Sequence, residues 1–111
     1  EKLKTEPRIA LLCAGRLDRL SLEDSACAGA FIDALLRARP NEWELSDAAA
    51  AAHGLFLHHV KDLVALVRRS EHGRYLSEIG LDEDIKFCMN IDRTKTVPAI
   101  SVGAGQMVVV S

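Results

Sequence analysis

The sequence predicts a helix-rich α/β unit with the element order β-α-α-α-α-β-β. Three observations carry this prediction: a short apolar run before residue 15, four stretches with helical periodicity and capping residues, and two β-branched runs after residue 92. With 111 residues, the chain is expected to be a single unit, residues 1–111, around one core. Three short strands are few for covering such long helices, so we expect this unit to contribute to a larger sheet.

A strand and a helix are predicted in the first part of the chain. Arg8 to Ala14 is an apolar run of strand length. Ser21 then precedes two acidic residues, which is typical of a helix N-terminus, and Pro40 ends the helix near Arg39. Its inward stripe is predicted to be Cys27, Phe31, Leu35 and Ala38.

A longer second helix is predicted from about Asp47 to Arg69, capped by Ser46 or by Asp47 itself. Its alanine run from 48 to 52 strongly favours helix. The central apolar stripe is predicted to be Ala52, Phe56, Val60, Leu63 and Val67.

Two short helices and two strands complete the prediction. Ser70 caps a third helix that ends at Gly80, and Asp82 caps a fourth from Glu83 to about Asn90. The β-branched runs predict a hairpin, whose parts are Val97–Val102, a turn at Gly103–Gly105 and Met107–Val110.

Charge and cysteine usage limit the function classes. The formal net charge of −2 gives no field to attract nucleic acid or an anionic membrane, and no apolar run is long enough to span a bilayer. Three widely spaced cysteines fit neither a disulfide framework nor a zinc site, so we expect buried free thiols in a reducing, cytoplasmic setting. We interpret the charged start at Glu1, without Met, as the beginning of a fragment.

The stretch from Ala14 to Asp24 is the first candidate site, because ligands of open α/β sheets collect where a strand leads into a helix. Arg16 and Arg19 can hold a phosphate or sulfonate together with free N–H groups of the helix start. Asp24 shares the predicted inward stripe, so it is a candidate Mg²⁺ ligand or acid/base. The alternative is that Glu23 and Asp24 only complete the cap, and spacing by itself favours that.

Two further stretches carry polar clusters. Arg68 to Arg74 contains three arginines, a serine and a histidine at a helix junction, and it either binds an oxyanion or simply closes one helix and caps the next. His58 and His59 point about 100° apart on a helix, so we predict a surface ion pair of His58 with Asp62 and a half-buried His59, not a metal site.

Several segments, in order along most of the chain, resemble the C-terminal half of the 2-phosphosulfolactate phosphatase family. They are Leu12–Arg16, Ser21–Asp24, Cys27–Ala30, Leu45–Ala48, Arg69–Arg74, Gly80–Asp84, Phe87–Cys88 and Val97–Pro98. The resemblance implies an α/β protein and Mg²⁺-dependent hydrolysis of a phosphomonoester. In the family's reaction, 2-phospho-3-sulfolactate becomes sulfolactate and phosphate, a step towards coenzyme M.

The resemblance assigns no ligands residue by residue, so the roles that follow are our own predictions for such a phosphatase. Gly15, Arg16 and Ser21, with Arg74, would bind the substrate, and Glu23 and Asp24 would hold the metal and act in catalysis. The family's N-terminal half has no counterpart here, so it is an expected partner and the 111 residues alone are expected to be inactive. A homo-oligomer stays open. The competing hypothesis is a non-catalytic helical interaction or regulatory module.

Overall fold

The computed structural model describes residues 7–100 and, as backbone, residues 107–110. Its helices are α1 (Leu22–Ala38), α2 (Asp47–His59), α3 (Leu63–Arg69), α4 (Glu71–Glu78) and α5 (Asp82–Cys88). Strands β1 (Val97–Ile100) and β2 (Met107–Val110) form an antiparallel hairpin with Val97 opposite Val110. None of the described helices is long and apolar enough to cross a membrane.

The helix-rich character and the terminal hairpin are confirmed, whereas the wider sheet stays a prediction. Within the described ranges, β1 and β2 are the only strands that form a ladder. The predicted turn at residues 103–105 lies outside the described residues. Sheet topology therefore gives no support yet for the α/β assignment.

Serine caps place three of the helix starts as predicted. The side chains of Ser21, Ser46 and Ser70 each accept a hydrogen bond from the backbone N–H three residues further on, at 3.2, 3.2 and 3.0 Å. Such a bond satisfies one of the donors that a helix N-terminus leaves free. Arg39 ends α1 directly before Pro40, and Gly80 follows α4 with φ of 85°.

The prediction of one helix from Asp47 to Arg69 is wrong, because Asp62 divides it into α2 and α3. The Asp62 carboxylate accepts a hydrogen bond from the Ala65 N–H at 3.0 Å and so starts a new helix. Its own N–H closes a turn onto the His59 carbonyl at 2.9 Å. Val60 sits in this turn and is exposed, although it was predicted in the central stripe.

The predicted cap of the fourth helix is also wrong. Asp82 is the first residue of α5, and Leu81 precedes it without a side-chain capping bond. The Asp82 carboxylate is instead held by the Arg68 guanidinium, with N–O distances of 2.9 and 2.5 Å. The Asp82 carboxylate therefore forms a long-range ion pair instead of the capping hydrogen bond that the sequence pattern predicted.

The apolar run from Arg8 to Ala14 is not a strand among the described residues. It belongs to no ladder, and none of its backbone N–H or C=O groups bonds to another described backbone group. Leu12 is 99% exposed. The side chains that made this run look like a buried strand are therefore largely uncovered.

α1 packs on α2 through small residues, and the predicted inward stripe is displaced around the helix. The buried residues of α1 are Ala26, Ala28, Gly29 and Ile32, whereas Phe31 is half exposed and Cys27 and Ala38 are exposed. A Cβ at Gly29 would overlap the Ala52 carbonyl and the Phe56 side chain. The interface is set by how closely two backbones approach, which favours Gly and Ala over large apolar residues.

The prediction that the cysteines are buried is wrong. Cys13, Cys27 and Cys88 are all exposed, without disulfides. Cys13 belongs to the uncovered N-terminal run, and Cys27 flanks the small-residue face of α1 instead of forming part of it. Partial burial raises the pKa of the Cys27 thiol, and the nearby Asp24 and Cys13 add to this effect.

Gly29 and Gly54 provide a matched test of the helix contact. Gly29→Ala is expected to destabilise the fold by about 1–3 kcal/mol because the methyl group meets backbone of α2. Gly54→Ala, also in a helix but with open space around it, is expected to stabilise by about 0.5–1 kcal/mol. Urea unfolding followed by circular dichroism measures both, and equal effects at the two sites would contradict this packing.

The Arg68–Asp82 pair predicts a pH-dependent stability. The hydrogen bond from Arg68 lowers the pKa of Asp82 below its ordinary value of 3.8. Because the folded state favours the ionised carboxylate, this stabilisation is present above pH 3.8 and is lost as the pH falls through the lowered folded value.

We therefore expect Asp82→Asn to lower the thermal midpoint by a few degrees at pH 7 and by less at about pH 3, below the ordinary carboxyl pKa. Asp84→Asn, in the same first turn but without an ion pair among the described residues, is the control. A loss of the same size at both pH values would show that the pair does not carry the effect.

Candidate anion-binding site

A tight turn presents the first pair of arginines. The N–H of each of Arg16 and Arg19 bonds to the carbonyl of the other at 3.0 Å. The two residues between them, Leu17 and Asp18, have φ values of 51° and 58°. This is the geometry of a two-residue type I′ turn. It holds Arg16 and Arg19 directly opposite each other.

Asp24 fastens this turn to the start of α1. Its Oδ2 accepts a hydrogen bond from the Gly15 N–H at 2.8 Å, while its own N–H donates to Ser21 Oγ. Gly15 has φ of 72°, and a Cβ there would meet the Arg19 carbonyl oxygen at 2.7 Å, so no other residue fits without strain. The Asp24 carboxylate therefore positions the loop.

A cleft of about 210 Å³ lies where this turn meets the junction of α3 and α4. It brings together the two arginine-containing stretches that the sequence marked separately. Its lining consists of Arg16, Leu20, Ser21, Leu22, Glu23, Arg69, Ser70, Glu71, His72 and Arg74. The guanidinium of Arg16 lies over the Tyr75 ring of α4, 5.1 Å from its centroid, which fixes the two stretches relative to each other.

The electrostatics of the cleft favour an anion. The cleft is lined by three arginines, Arg16, Arg69 and Arg74, and by only two carboxylates. The capped N-termini of α1 and α4 also border it. One of those carboxylates, Glu71, is paired with Arg19 at 3.1 Å. Free N–H groups and the dipole at each helix start attract negative charge.

Two residues that line this cleft each have a buried polar atom without a hydrogen-bond partner among the described residues. These atoms are Glu23 Oε2 and His72 Nδ1. Leaving such an atom unpaired costs about 1–3 kcal/mol, and unpaired groups of this kind are typical of ligand sites. His72 was not singled out as a site residue from the sequence. The available signal was its position at the start of α4, two residues after the Ser70 cap.

The predicted site residues fall into two groups. Arg16, Ser21, Glu23 and Arg74 line the cleft, so the structure brings them together. Gly15 and Asp24 do not line it; they hold each other in the loop behind it. Their roles in binding and catalysis stay predictions.

The donor set fits Mg²⁺ only in part. In the described ranges, no three His, Cys, Asp or Glu side chains are arranged to hold a metal ion. Mg²⁺ in phosphoryl-transfer sites commonly takes one or two carboxylates, the substrate phosphate and several waters. Glu23, with its buried free oxygen, suits one such ligand. Asp24 has one oxygen committed to Gly15, which leaves the other for a metal.

The histidine pair of α2 behaves partly as predicted. His59 is half-buried, and its Nδ1 lies 3.4 Å from Arg69 Nη2. Burial, together with the neighbouring His58 and Arg69, lowers the pKa of His59. The predicted ion pair of His58 with Asp62 is not found among the described residues, where the Asp62 carboxylate caps α3 instead.

The type I′ turn makes a prediction about Leu17. A leucine with positive φ is strained by about 1 kcal/mol, and this one is 77% exposed, so its side chain contributes little packing. Leu17→Asn is expected to stabilise the chain by about 0.5–1 kcal/mol in urea unfolding, because Asn tolerates positive φ. Leu20→Asn, equally exposed at 76% but without positive φ, should give no gain.

Comparison with known proteins identifies the family. The sequence model of the 2-phosphosulpholactate phosphatase family matches residues 1–103. A probable 2-phosphosulfolactate phosphatase of Thermotoga maritima is 38% identical over 103 residues, which are 93% of this chain and 43% of that protein. A protein of the same name from Symbiobacterium thermophilum is 33% identical over 93% of this chain and 44% of its own length.

A third relative of that name, from Clostridium novyi, is 33% identical over 86% of this chain and 40% of its own length. The chain thus spans less than half the length of these curated relatives. No solved structure matches it at a significant level. The family match over residues 1–103 and the relatives that cover the same region agree: the chain belongs to the 2-phosphosulfolactate phosphatase family.

Proposed function

We propose that the polypeptide containing this chain is a Mg²⁺-dependent phosphatase that hydrolyses 2-phospho-3-sulfolactate to sulfolactate and phosphate. One observation carries the proposal beyond family membership. Arginines from two separate stretches, Arg16 on one side and Arg69 and Arg74 on the other, line a single cleft at two helix N-termini. This arrangement suits a small substrate with more than one negative charge.

The binding roles follow from how each arginine is held. Arg16 is supported by the Tyr75 ring, so its guanidinium is oriented before a ligand arrives. Arg74 donates to the Arg69 carbonyl at 2.6 Å through Nη1, which leaves its other donors for an anion. The helices that Ser21 and Ser70 cap would contribute the free backbone N–H groups of their first turns. Such preorganised donors stabilise the charge that develops during phosphoryl transfer.

The catalytic roles belong to Glu23, Asp24 and His72. When bound, Mg²⁺ would neutralise charge on the phosphoryl group and lower the pKa of a bound water. Glu23 would be a ligand through its free oxygen, and Asp24 would contribute its uncommitted oxygen or orient the loop. His72 Nδ1, which has no partner among the described residues, would exchange a proton with the reacting water or the leaving oxygen.

The chain would supply only part of the complete active site. Its share of the relatives' length supports the proposal that it is the C-terminal half of a longer chain, whose N-terminal half is its partner. The substrate would then bind where the two halves meet, in a cytoplasmic enzyme of coenzyme M biosynthesis. We expect the 111 residues by themselves to release no phosphate, and we leave homo-oligomer formation open.

The test is phosphate release from 2-phosphosulfolactate by a family-length polypeptide that contains these residues. We expect activity with Mg²⁺ and none after chelation. Arg16→Gln should lower kcat/KM by about 100-fold or more, because it removes an oriented donor to the phosphoryl oxygens. Arg37→Gln, which removes the same charge from the outer face of α1, should leave the rate unchanged.

Asp24→Asn distinguishes this proposal from the non-catalytic module. Asn keeps an oxygen that can accept the Gly15 hydrogen bond, so the fold is expected to survive while turnover falls. A loss of stability alone would indicate a structural role for Asp24. Activity that persists after chelation, or that is unchanged in Arg16→Gln, would refute the assignment of this cleft.

A further inference from the structure

The run from Arg8 to Ala14, which we call the N-terminal segment, forms one wall of a large apolar cleft. The cleft has a volume of about 1390 Å³, and its other walls come from α1, the α1–α2 connection and α2. Ile32, Trp43 and Leu55 represent those three walls. The Nε1 of Trp43 is buried and has no hydrogen-bond partner among the described residues.

The N-terminal segment and the apolar cleft beside it form a surface that is incomplete on physical grounds. The N-terminal segment combines backbone groups that bond to no other described backbone group with an apolar sequence, and Leu12 is 99% exposed. Continuously apolar strands of this length are typical of sheets that are covered on both faces and paired on both edges. An unpaired apolar strand in water is a template for pairing with another strand.

We propose that strands from the rest of a family-length polypeptide pair with the N-terminal segment and fill the apolar cleft. The relatives provide the argument for this occupant, because the matched region makes up 43% and 44% of the first two. Each therefore carries more than a hundred further residues in the same polypeptide. The inference rests on membership of the family and is independent of the proposed activity.

Hydrogen exchange of the backbone amides tests the pairing directly. In the family-length polypeptide, the amides of residues 8–14 should exchange at least about 100-fold more slowly than in the 111-residue chain. Equal exchange in the two would overturn the proposal. Protection that develops in the 111-residue chain as its concentration rises would also overturn it, because the occupant would then be a second copy.

A charge at Leu12 tests the burial of the side chains. Leu12→Arg should leave the urea midpoint of the 111-residue chain unchanged, because the residue is exposed there, and should lower that of the family-length polypeptide. Leu17→Arg is the control: Leu17 is also exposed but lies outside the N-terminal segment, so no difference between the two lengths is expected. Equal effects of both variants in the longer polypeptide would contradict the proposal. Should Leu12→Arg prevent folding there, the exchange comparison on the unsubstituted protein still decides.

Discussion

The turn at Ser70 is the constraint on which the candidate site depends. Ser70 is 3% exposed, ends α3 and begins α4; its Oγ donates to the Val67 carbonyl at 2.7 Å and accepts from the Gly73 N–H at 3.0 Å. A Cβ at Gly73 would overlap that same Val67 carbonyl, so the two helices meet with no room for a side chain. This sharp junction places Arg69 and Arg74 on either side of it and turns both towards the loop before α1.

Local signals predicted the helix starts well, because a capping bond spans only three residues. Ser21, Ser46 and Ser70 all cap as expected. The same logic failed at Asp62 and Asp82. Asp62 caps a helix in the middle of a stretch whose apolar periodicity is continuous. The Asp82 carboxylate does not cap a helix, because it pairs with Arg68, which lies 14 residues earlier. Whether a carboxylate bonds to a neighbouring backbone N–H or to a distant side chain depends on tertiary packing, which the hydrophobic periodicity of the sequence does not describe.

The face of α1 shows a second limit of pattern analysis. A stripe chosen by size favours Phe31 and Leu35, yet the helix buries its small side chains around Gly29 against α2. Two helix backbones approach closely only where one of them carries no large side chain, and a hydrophobic pattern does not identify such positions. The displaced stripe also explains why Asp24, predicted to face inward with those large residues, instead bonds the Gly15 N–H.

The candidate site was predictable in its parts but not as a whole. The composition of each arginine stretch indicated anion binding, yet their meeting required the Ser70 turn and the placement of Arg16 over Tyr75. The second of these contacts joins residues 59 positions apart in the sequence. The sequence placed His72 in a candidate anion-binding stretch, but a catalytic role for it is suggested only by its buried Nδ1, which has no partner among the described residues.

The two clefts share a wall, which links the proposed docking to the proposed chemistry. Leu20, Ser21 and Leu22 line both the large apolar cleft and the small cationic one. Strands that cover the apolar side would therefore remove water from the back of the anion site. Charge-assisted hydrogen bonds from Arg16 to a phosphoryl group are stronger in such a water-poor environment. The N-terminal segment also leads directly into the Gly15 loop, so pairing it would restrain the backbone that carries Arg16. The proposed additional strands would therefore contribute to catalysis even without placing a side chain on the substrate.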